Sequence, residues 1–293
     1  MTTVGFVGVG VMGAPMTRNL MKGGHAVRAY DVSRQALSTV ESDGAVGTGS
    51  PAEAASGCDI VISMLPTGKE VGEAAFGTDG ISDGISKDAL YVDMSTILPM
   101  DTDKIAAECA EAGISFVDAP VGRLSKNAED GTLMIMAGGT KEDVERARHL
   151  FELMGDTIVY CGEAGMGSRM KVVNNYMATS LNALTAETLT LAEKSGLDID
   201  LSIEVMSGTM AGRGHMTTTY PLHVLKGNLA PGFMVDLAHK DMGLGLEMAA
   251  ALRSPTGVGA AARQVYTLAQ AEGRGREDWT SLYQTVRGLA GLK

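Results

Sequence analysis

The chain has 293 residues, 45% hydrophobic and 20% charged, an ordinary composition for a folded globular protein and enough length for two domains with substantial cores. A formal net charge of −11 and the lack of any Lys/Arg run exclude a nucleic-acid-binding surface, so an anionic substrate must meet individually placed cations. Neither a basic leader with an apolar core nor a long apolar span is present, which predicts a cytoplasmic location and no membrane partner.

The first predicted strand is Val4–Val9, and Gly8-Val9-Gly10-Val11-Met12-Gly13 leads from it into a helical pattern. In a dinucleotide-binding βαβ unit Gly8 permits the tight turn, Gly10 lets the backbone approach a pyrophosphate, and Gly13 lets helix and strand pack closely. The helix N-terminus then faces the phosphates. A second strand, Ala26–Tyr30, ends at Asp31, 18 residues beyond Gly13. A carboxylate there accepts from both adenosine ribose hydroxyls and repels the extra phosphate of NADP, which favours NAD(H). Arg34, three residues on, is the residue that could attract that phosphate instead.

Further strands are predicted at Asp59–Leu65, Leu90–Met94, Ser115–Asp118, Leu133–Ala137 and Ile158–Cys161, alternating with helical segments to about residue 162. That alternation is the pattern of an α/β domain with a doubly wound parallel sheet. Ligands of such sheets lie beyond the carboxyl ends of strands. Leu65-Pro66-Thr67, Ser95-Thr96 and Asp118-Ala119-Pro120-Val121-Gly122-Arg123 are therefore the segments of interest. From Ser168 to Lys194 neither Gly nor Pro occurs, which predicts an interdomain helix of about seven turns. The remainder, rich in Ala, Leu and Met, shows no strand alternation. The expected organisation is a Rossmann NAD-binding domain over 1–162 and an all-helical domain over 163–293 serving substrate binding and oligomerisation, in a homodimer or homotetramer.

Cys58, Cys109 and Cys161 are far apart and lack metal-ligand spacing, so they read as packing residues in a reducing compartment. The five histidines show no HExxH-like pattern, and no metal is expected. The 19 methionines read as adaptable core filler.

On the long helix Lys171, Asn174, Asn175 and Ala178 stand at i, i+3, i+4 and i+7, and so share a face. Reduction of an aldehyde needs a hydride at carbon and a proton at oxygen. A positioned ammonium polarises the carbonyl, stabilises the developing alkoxide and supplies that proton, which makes Lys171 the candidate acid. An ordinary lysine titrates near about 10.4, and desolvation or a cation such as Arg123 would bring it toward the working range. The same four residues also fit an ordinary solvated helix face. Arg123, after a strand end and a Pro-Val-Gly turn, is either an anion clamp or a surface arginine. Lys240 in Leu237-Ala238-His239-Lys240-Asp241 either reaches the cofactor or forms a commonplace helix pair with Asp241.

These residues carry a resemblance. Gly5-Phe6-Val7-Gly8-Val9-Gly10-Val11-Met12-Gly13-Ala14-Pro15-Met16, Asp93-Met94-Ser95-Thr96, Asp118-Ala119-Pro120-Val121, and Gly165-Met166-Gly167 leading to Lys171-Val172-Val173-Asn174-Asn175 resemble the β-hydroxyacid dehydrogenase family nearly end to end. The resemblance implies a Rossmann domain, a long interdomain helix, a helical domain completing the active site across a cleft, and Lys171 as the catalytic residue. It also implies contacts to NAD from Val11, Met12, Asp31, Leu65, Thr96 and Lys240, with Pro66 beside Leu65. Members acting on small carboxylate semialdehydes usually continue Asp-Ala-Pro-Val with Ser-Gly-Gly, whereas this chain has Gly122-Arg123-Leu124-Ser125-Lys126-Asn127. That block, together with Asn174-Asn175-Tyr176-Met177, Leu237-Ala238-His239-Lys240-Asp241 and Gly273-Arg274-Gly275-Arg276-Glu277-Asp278-Trp279, is similar to the branch that reduces 3-sulfolactaldehyde to 2,3-dihydroxypropane-1-sulfonate with NADH during sulfoquinovose breakdown. A sulfonate offers three acceptor oxygens, matched by Arg123, the Asn174 and Asn175 amides and backbone N–H groups around Gly122. Ala178, in the same implied substrate-lining segment, has no side-chain donor and contributes shape or backbone. The competing readings are a reductase for tartronate, methylmalonate or succinate semialdehyde, in which Arg123 holds a carboxylate, and a noncatalytic NAD-binding protein.

Overall fold

The structure is a computed structural model and describes residues 1–194, 196–208, 214–251, 253 and 256–292. The chain divides into two compact units, Met1–Lys171 and Val172–Lys293.

In the first unit strands and helices follow one another as β1 (Thr3–Val7), α1 (Gly13–Lys22), β2 (Ala26–Tyr30), α2 (Arg34–Ser42), β3 (Val46–Gly47), α3 (Pro51–Ala55), β4 (Ile60–Ser63), α4 (Gly68–Phe76), α5 (Ile81–Gly84), β5 (Leu90–Asp93), α6 (Pro99–Ala112) and β6 (Ser115–Asp118). The remainder of the unit is β7 (Val121–Gly122), α7 (Ser125–Asp130), β8 (Leu133–Gly138), α8 (Lys141–Met154), β9 (Gly155–Gly162) and the start of α9 (Met166–Lys194). The sheet runs β3-β2-β1-β4-β5-β6 with every pair parallel. This is the strand order of a doubly wound dinucleotide-binding sheet, whose order reverses between β1 and β4. The central strands β4 and β5 are buried along their whole length, as a sheet covered on both faces requires. One face packs Phe6, Leu20, Ile62, Val92 and Phe151 together, and another cluster gathers Val7, Val61, Tyr91 and Ile105.

The sheet is predominantly parallel, and its antiparallel pairs involve one strand, β8. β8 runs antiparallel to β6 and β7, which share one of its edges, while β9 pairs parallel on the other. Only ten residues separate Gly122 from Leu133, too few for the crossover that a parallel return needs, so the chain turns back as a broad hairpin holding α7. The thiols also divide: Cys58 and Cys109 are buried, with burial pushing their pKa up to about 11 and about 12, whereas Cys161 is only half-buried.

The second unit contains the rest of α9, then α10 (Ile199–Ser207), α11 (His215–Thr218), α12 (Val235–Ala251), α13 (Gly257–Ala271) and α14 (Leu282–Leu289), with an isolated bridge between Met234 and Asp278. Its core joins Leu189, Tyr220, Met242, Tyr266, Trp279 and Leu282. A buried polar chain crosses it: Asn182 Nδ2 donates to Tyr266 Oη (3.0 Å) and to the Trp279 carbonyl (2.8 Å), and the Tyr220 hydroxyl donates to the Asn182 carbonyl (3.0 Å). A Cβ at Gly259 would stand 2.1 Å from Tyr176 Cε2 and one at Gly245 3.2 Å from Tyr176 Cβ, so two bare glycines let α12 and α13 close on α9. Among the described residues no helix is long and apolar enough to cross a membrane.

Candidate active site

β1 ends at Val7, and Gly8 follows with φ +94°, its N–H donating to the Tyr30 carbonyl (2.8 Å). A Cβ at Gly8 would stand 2.3 Å from the Met64 carbonyl oxygen, and one at Gly13 would stand 2.0 Å from the Gly8 carbonyl oxygen. A Cβ at Gly10 meets nothing within 4 Å. Gly8 and Gly13 are thus demanded by the fold itself, while Gly10 borders open space, the condition for a pyrophosphate to approach the backbone. Val11 beside it is exposed and Met12 half-buried. Asp31 Oδ2 accepts from Val9 N (2.8 Å) and Oδ1 from Ser33 N (2.7 Å), so the carboxylate is fixed against the glycine loop with lone pairs remaining on both oxygens. The residues present fit an adenine dinucleotide.

At the carboxyl ends of β4 and β5 a buried network holds the next segment. Asp93 Oδ1 accepts from Ser63 Oγ (2.7 Å), Ser95 Oγ (2.6 Å) and Ser95 N (3.2 Å), and Ser95 Oγ accepts from Leu65 N (2.9 Å). Leu65 in turn covers Gly8. Leu65-Pro66 and Ser95-Thr96 are therefore tied to one carboxylate. Burial raises the Asp93 pKa to about 6 against the pull of the two serines.

The start of α9 is anchored by another buried acid. Asp118 Oδ1 accepts from Gly165 N (2.6 Å) and Oδ2 from Ser168 N (2.7 Å), satisfying backbone donors that a helix N-terminus otherwise leaves unpaired. Burial raises its pKa despite those bonds. A Cβ at Gly167 would lie 2.2 Å from the Met136 carbonyl oxygen, so the helix meets β8 at van der Waals distance. Thr102 and Ser168 hydroxyls bond at 2.9 Å, and Arg169 clasps Asp103 through both terminal nitrogens at 2.9 and 2.7 Å. Lys171 follows one turn later and is 8% exposed.

Further along α9, Asn174 is exposed and donates to Asn175 Oδ1 (3.2 Å). Asn175 is buried and donates to Asp241 Oδ2 on α12 (2.5 Å), whose Oδ1 lies 3.0 Å from Lys240 Nζ. The Ala178 carbonyl accepts from His215 Nε2 (2.7 Å), which fixes the proton on that nitrogen and leaves Ala178 shape as its contribution. With Lys171 and Asn175 buried, the stripe is not the solvated face that spacing alone allowed. Asp241 and the anchoring roles of Asp93 and Asp118 had no counterpart among the expected site residues. The available signal was their position, at strand ends within quoted motifs and beside Lys240.

Arg123 follows Gly122 at the end of β7. It adopts φ +77°, and its guanidinium donates to Asp156 Oδ1 (2.6 Å), Thr157 Oγ1 (3.1 Å) and the Thr132 carbonyl. The fork expected to face a substrate anion is held by a carboxylate from the start of β9, and the hydrogen bonds from Thr157 and Arg123 keep Asp156 below the usual carboxylate range. Gly122 is buried in β7, and a Cβ there would press on Met136 at 3.0 Å.

A doubly wound sheet with an unobstructed glycine loop at its switch point is the frame of a dinucleotide-binding domain, and its relatives place the chain among NAD-dependent oxidoreductases acting on CH–OH groups. Residues 3–162 match the model of the NAD-binding domain of 6-phosphogluconate dehydrogenase, and residues 165–286 match that of the NAD-binding domain of NADP-dependent 3-hydroxyisobutyrate dehydrogenase. The chain belongs to the β-hydroxyacid dehydrogenase family. It is 47% identical to the 3-sulfolactaldehyde reductase of Escherichia coli K12, over 100% of this chain and 98% of that protein. It is 37% identical to the 3-hydroxyisobutyrate dehydrogenase of Pseudomonas aeruginosa, over 98% and 99%. The structure of Mycobacterium tuberculosis 3-hydroxyisobutyrate dehydrogenase with L-serine superimposes with a TM-score of 0.91 at 34% identity, covering 98% of this chain and 99% of that one.

Proposed function

We propose that this protein reduces 3-sulfolactaldehyde to 2,3-dihydroxypropane-1-sulfonate with NADH, as a cytoplasmic step of sulfoquinovose degradation. The observation that carries this reading is the buried Lys171 on one helical stripe with Asn174 and Asn175, in a chain 47% identical throughout to a 3-sulfolactaldehyde reductase. NADH, when bound, supplies the hydride that adds to the aldehyde carbon. Lys171 polarises the aldehyde oxygen and gives it the proton, with limited water to screen the developing alkoxide. Gly8, Gly10, Val11, Met12 and Gly13 hold the pyrophosphate side of the cofactor, Asp31 its ribose, and Leu65, Pro66, Thr96 and Lys240 the rest. Asn175, tied to Asp241, orients Asn174, whose amide retains an N–H for the substrate. Ala178 and Gly122 supply room.

Arg123 takes the sulfonate by exchanging partners. Its pair with Asp156 is partly exposed on both sides, and such a pair is worth roughly 0.2–1 kcal/mol, so an anion with three acceptor oxygens displaces it at small cost. One observation favours a second reading: the guanidinium already holds a carboxylate, which is what a carboxylate semialdehyde would offer it. The deciding experiment is kcat/KM for NADH oxidation with sulfolactaldehyde beside tartronate, methylmalonate and succinate semialdehydes, repeated with Arg123→Ala and Asp156→Asn. The sulfonate reading requires a preference of about a hundredfold or more, near 2.7 kcal/mol. Arg123→Ala then lowers that preference, and Asp156→Asn raises or keeps it. A winning carboxylate semialdehyde moves the protein to the second reading, and equal losses on charged and uncharged aldehydes remove Arg123 from substrate binding.

A further inference from the structure

Within the helical unit, α12 and α13 border an open cavity of about 630 Å³ whose polar lining is His239, Lys240, Glu247 and Arg263. Gly243 shapes it. The Arg263 guanidinium lies over that glycine, and a Cβ there would stand 3.2 Å from its Nη2 and 3.4 Å from its Cζ and Nε. The Nε atom is buried with no acceptor, and no carboxylate lies within ion-pair distance of the guanidinium among the described residues. Lys240, by contrast, has Asp241 at 3.0 Å. His239 bonds Thr267 (3.1 Å), and burial together with the Arg263 charge holds its pKa below the usual range, so it adds no charge at neutral pH. A guanidinium with a desolvated donor and no acceptor carries a standing cost, and its planar fork is suited to two oxygens of one oxyanion.

We propose that this cavity is an anion site in which Arg263, assisted by Lys240, binds the phosphate group of a hydroxylated phosphate ester, with Glu247 accepting from a hydroxyl of the same ligand. The part played by Lys240 rests on its placement in the cofactor site above; the part played by Arg263 does not. The phosphate has two sources, a free phosphate ester or the dinucleotide itself.

The test is calorimetric titration of the full-length protein, without aldehyde, using glycerol 3-phosphate and inorganic phosphate. Glycerol 3-phosphate is expected to bind saturably, and Arg263→Gln is expected to weaken it at least tenfold, with Arg263→Lys intermediate. Glu247→Leu should weaken glycerol 3-phosphate while tightening inorganic phosphate, since it removes both an acceptor and a repelling charge. Should Arg263→Gln fail to fold, Arg263→Met is the second variant, because it keeps an unbranched stem over Gly243 and removes the guanidinium. Binding that survives saturating NADH identifies a free ester. Binding abolished by NADH, with a raised KM for NADH in Arg263→Gln, identifies the cofactor's phosphate. No saturable binding, or equal affinity in the wild type and Arg263→Gln, overturns the proposal and leaves the proposed aldehyde reduction untouched.

Discussion

Lys171 and Arg123 are both cations assigned to the substrate, and their surroundings set how each answers to mutation. Lys171 is buried just after the anchored first turn of α9, so truncation removes a group that solvent cannot replace. We expect Lys171→Ala to lower kcat by about 10²–10⁴-fold, the range for losing a positioned general acid. NADH affinity, read by quenching or transfer of its fluorescence, should stay within a few-fold; unchanged turnover would remove Lys171 from the chemistry. Arg123 sits in an exposed pair whose partner, Asp156, was invisible to a linear reading. The two lie 33 positions apart, and the pairing of β8 with both β7 and β9 brings them together.

At the scale of elements, the glycine loop separates fold from function. Gly8→Ala forces a Cβ to 2.3 Å from a carbonyl oxygen at φ +94° and should destabilise the protein by more than about 1–3 kcal/mol, the range for forced overpacking alone. Gly10→Ala meets no protein atom, so the melting temperature should barely change while the KM for NADH rises severalfold. Comparable losses of stability in both variants would contradict this division. The network at the ends of β4 and β5 yields a pH dependence. Burial raises the Asp93 pKa from the ordinary 3.8 to about 6, so between those limits the folded state holds a proton that the unfolded state has released. Stability from this group is therefore lost as pH rises from about 4 to 6, by roughly 2–3 kcal/mol. Asp93→Asn keeps the oxygen that accepts all three bonds, and its stability relative to wild type should climb by that amount across the window in urea unfolding. Parallel profiles would refute the assignment.

Most of these elements are legible from sequence because apolar runs mark strands buried on both faces. Ala26–Tyr30 and Ser115–Asp118 form over the expected residues, and α9 begins two residues before the Gly/Pro-free run. The two-residue strands Val46–Gly47 and Val121–Gly122 are too short to show a period, and β9 starts at Gly155, ahead of its apolar part. The local geometry of the glycine loop and of Asp31 is readable in the sequence because each rests on its own backbone or strand end. Asp118, Asp93 and Asp241 were not, since what matters is their burial beside specific N–H groups, a property of the tertiary fold.

For the whole molecule, the expected homo-oligomer remains a proposal, and α9 and α10 supply its physical basis. Met170, Val173, Met177, Leu181 and Leu184 recur at three- and four-residue steps on α9 and are exposed, as are Leu197, Leu201 and Val205 in and beside α10. Apolar stripes of this kind suit burial against a second copy of the chain. Light scattering should give at least a dimer mass, and Met177→Glu with Leu201→Glu should shift it to the monomer; a wild-type monomer would discard the proposal.

Trp279 is the chain's only tryptophan, and it is buried in the helical unit with its ring edge-on to His215 and Phe233 at centroid distances of 4.7 and 5.1 Å. Intrinsic emission excited at the red edge therefore originates in residues 172–293, the unit that carries the tryptophan. The chain thus carries a native optical label in one of its two units, and the cooperativity between them can be measured without attaching a dye.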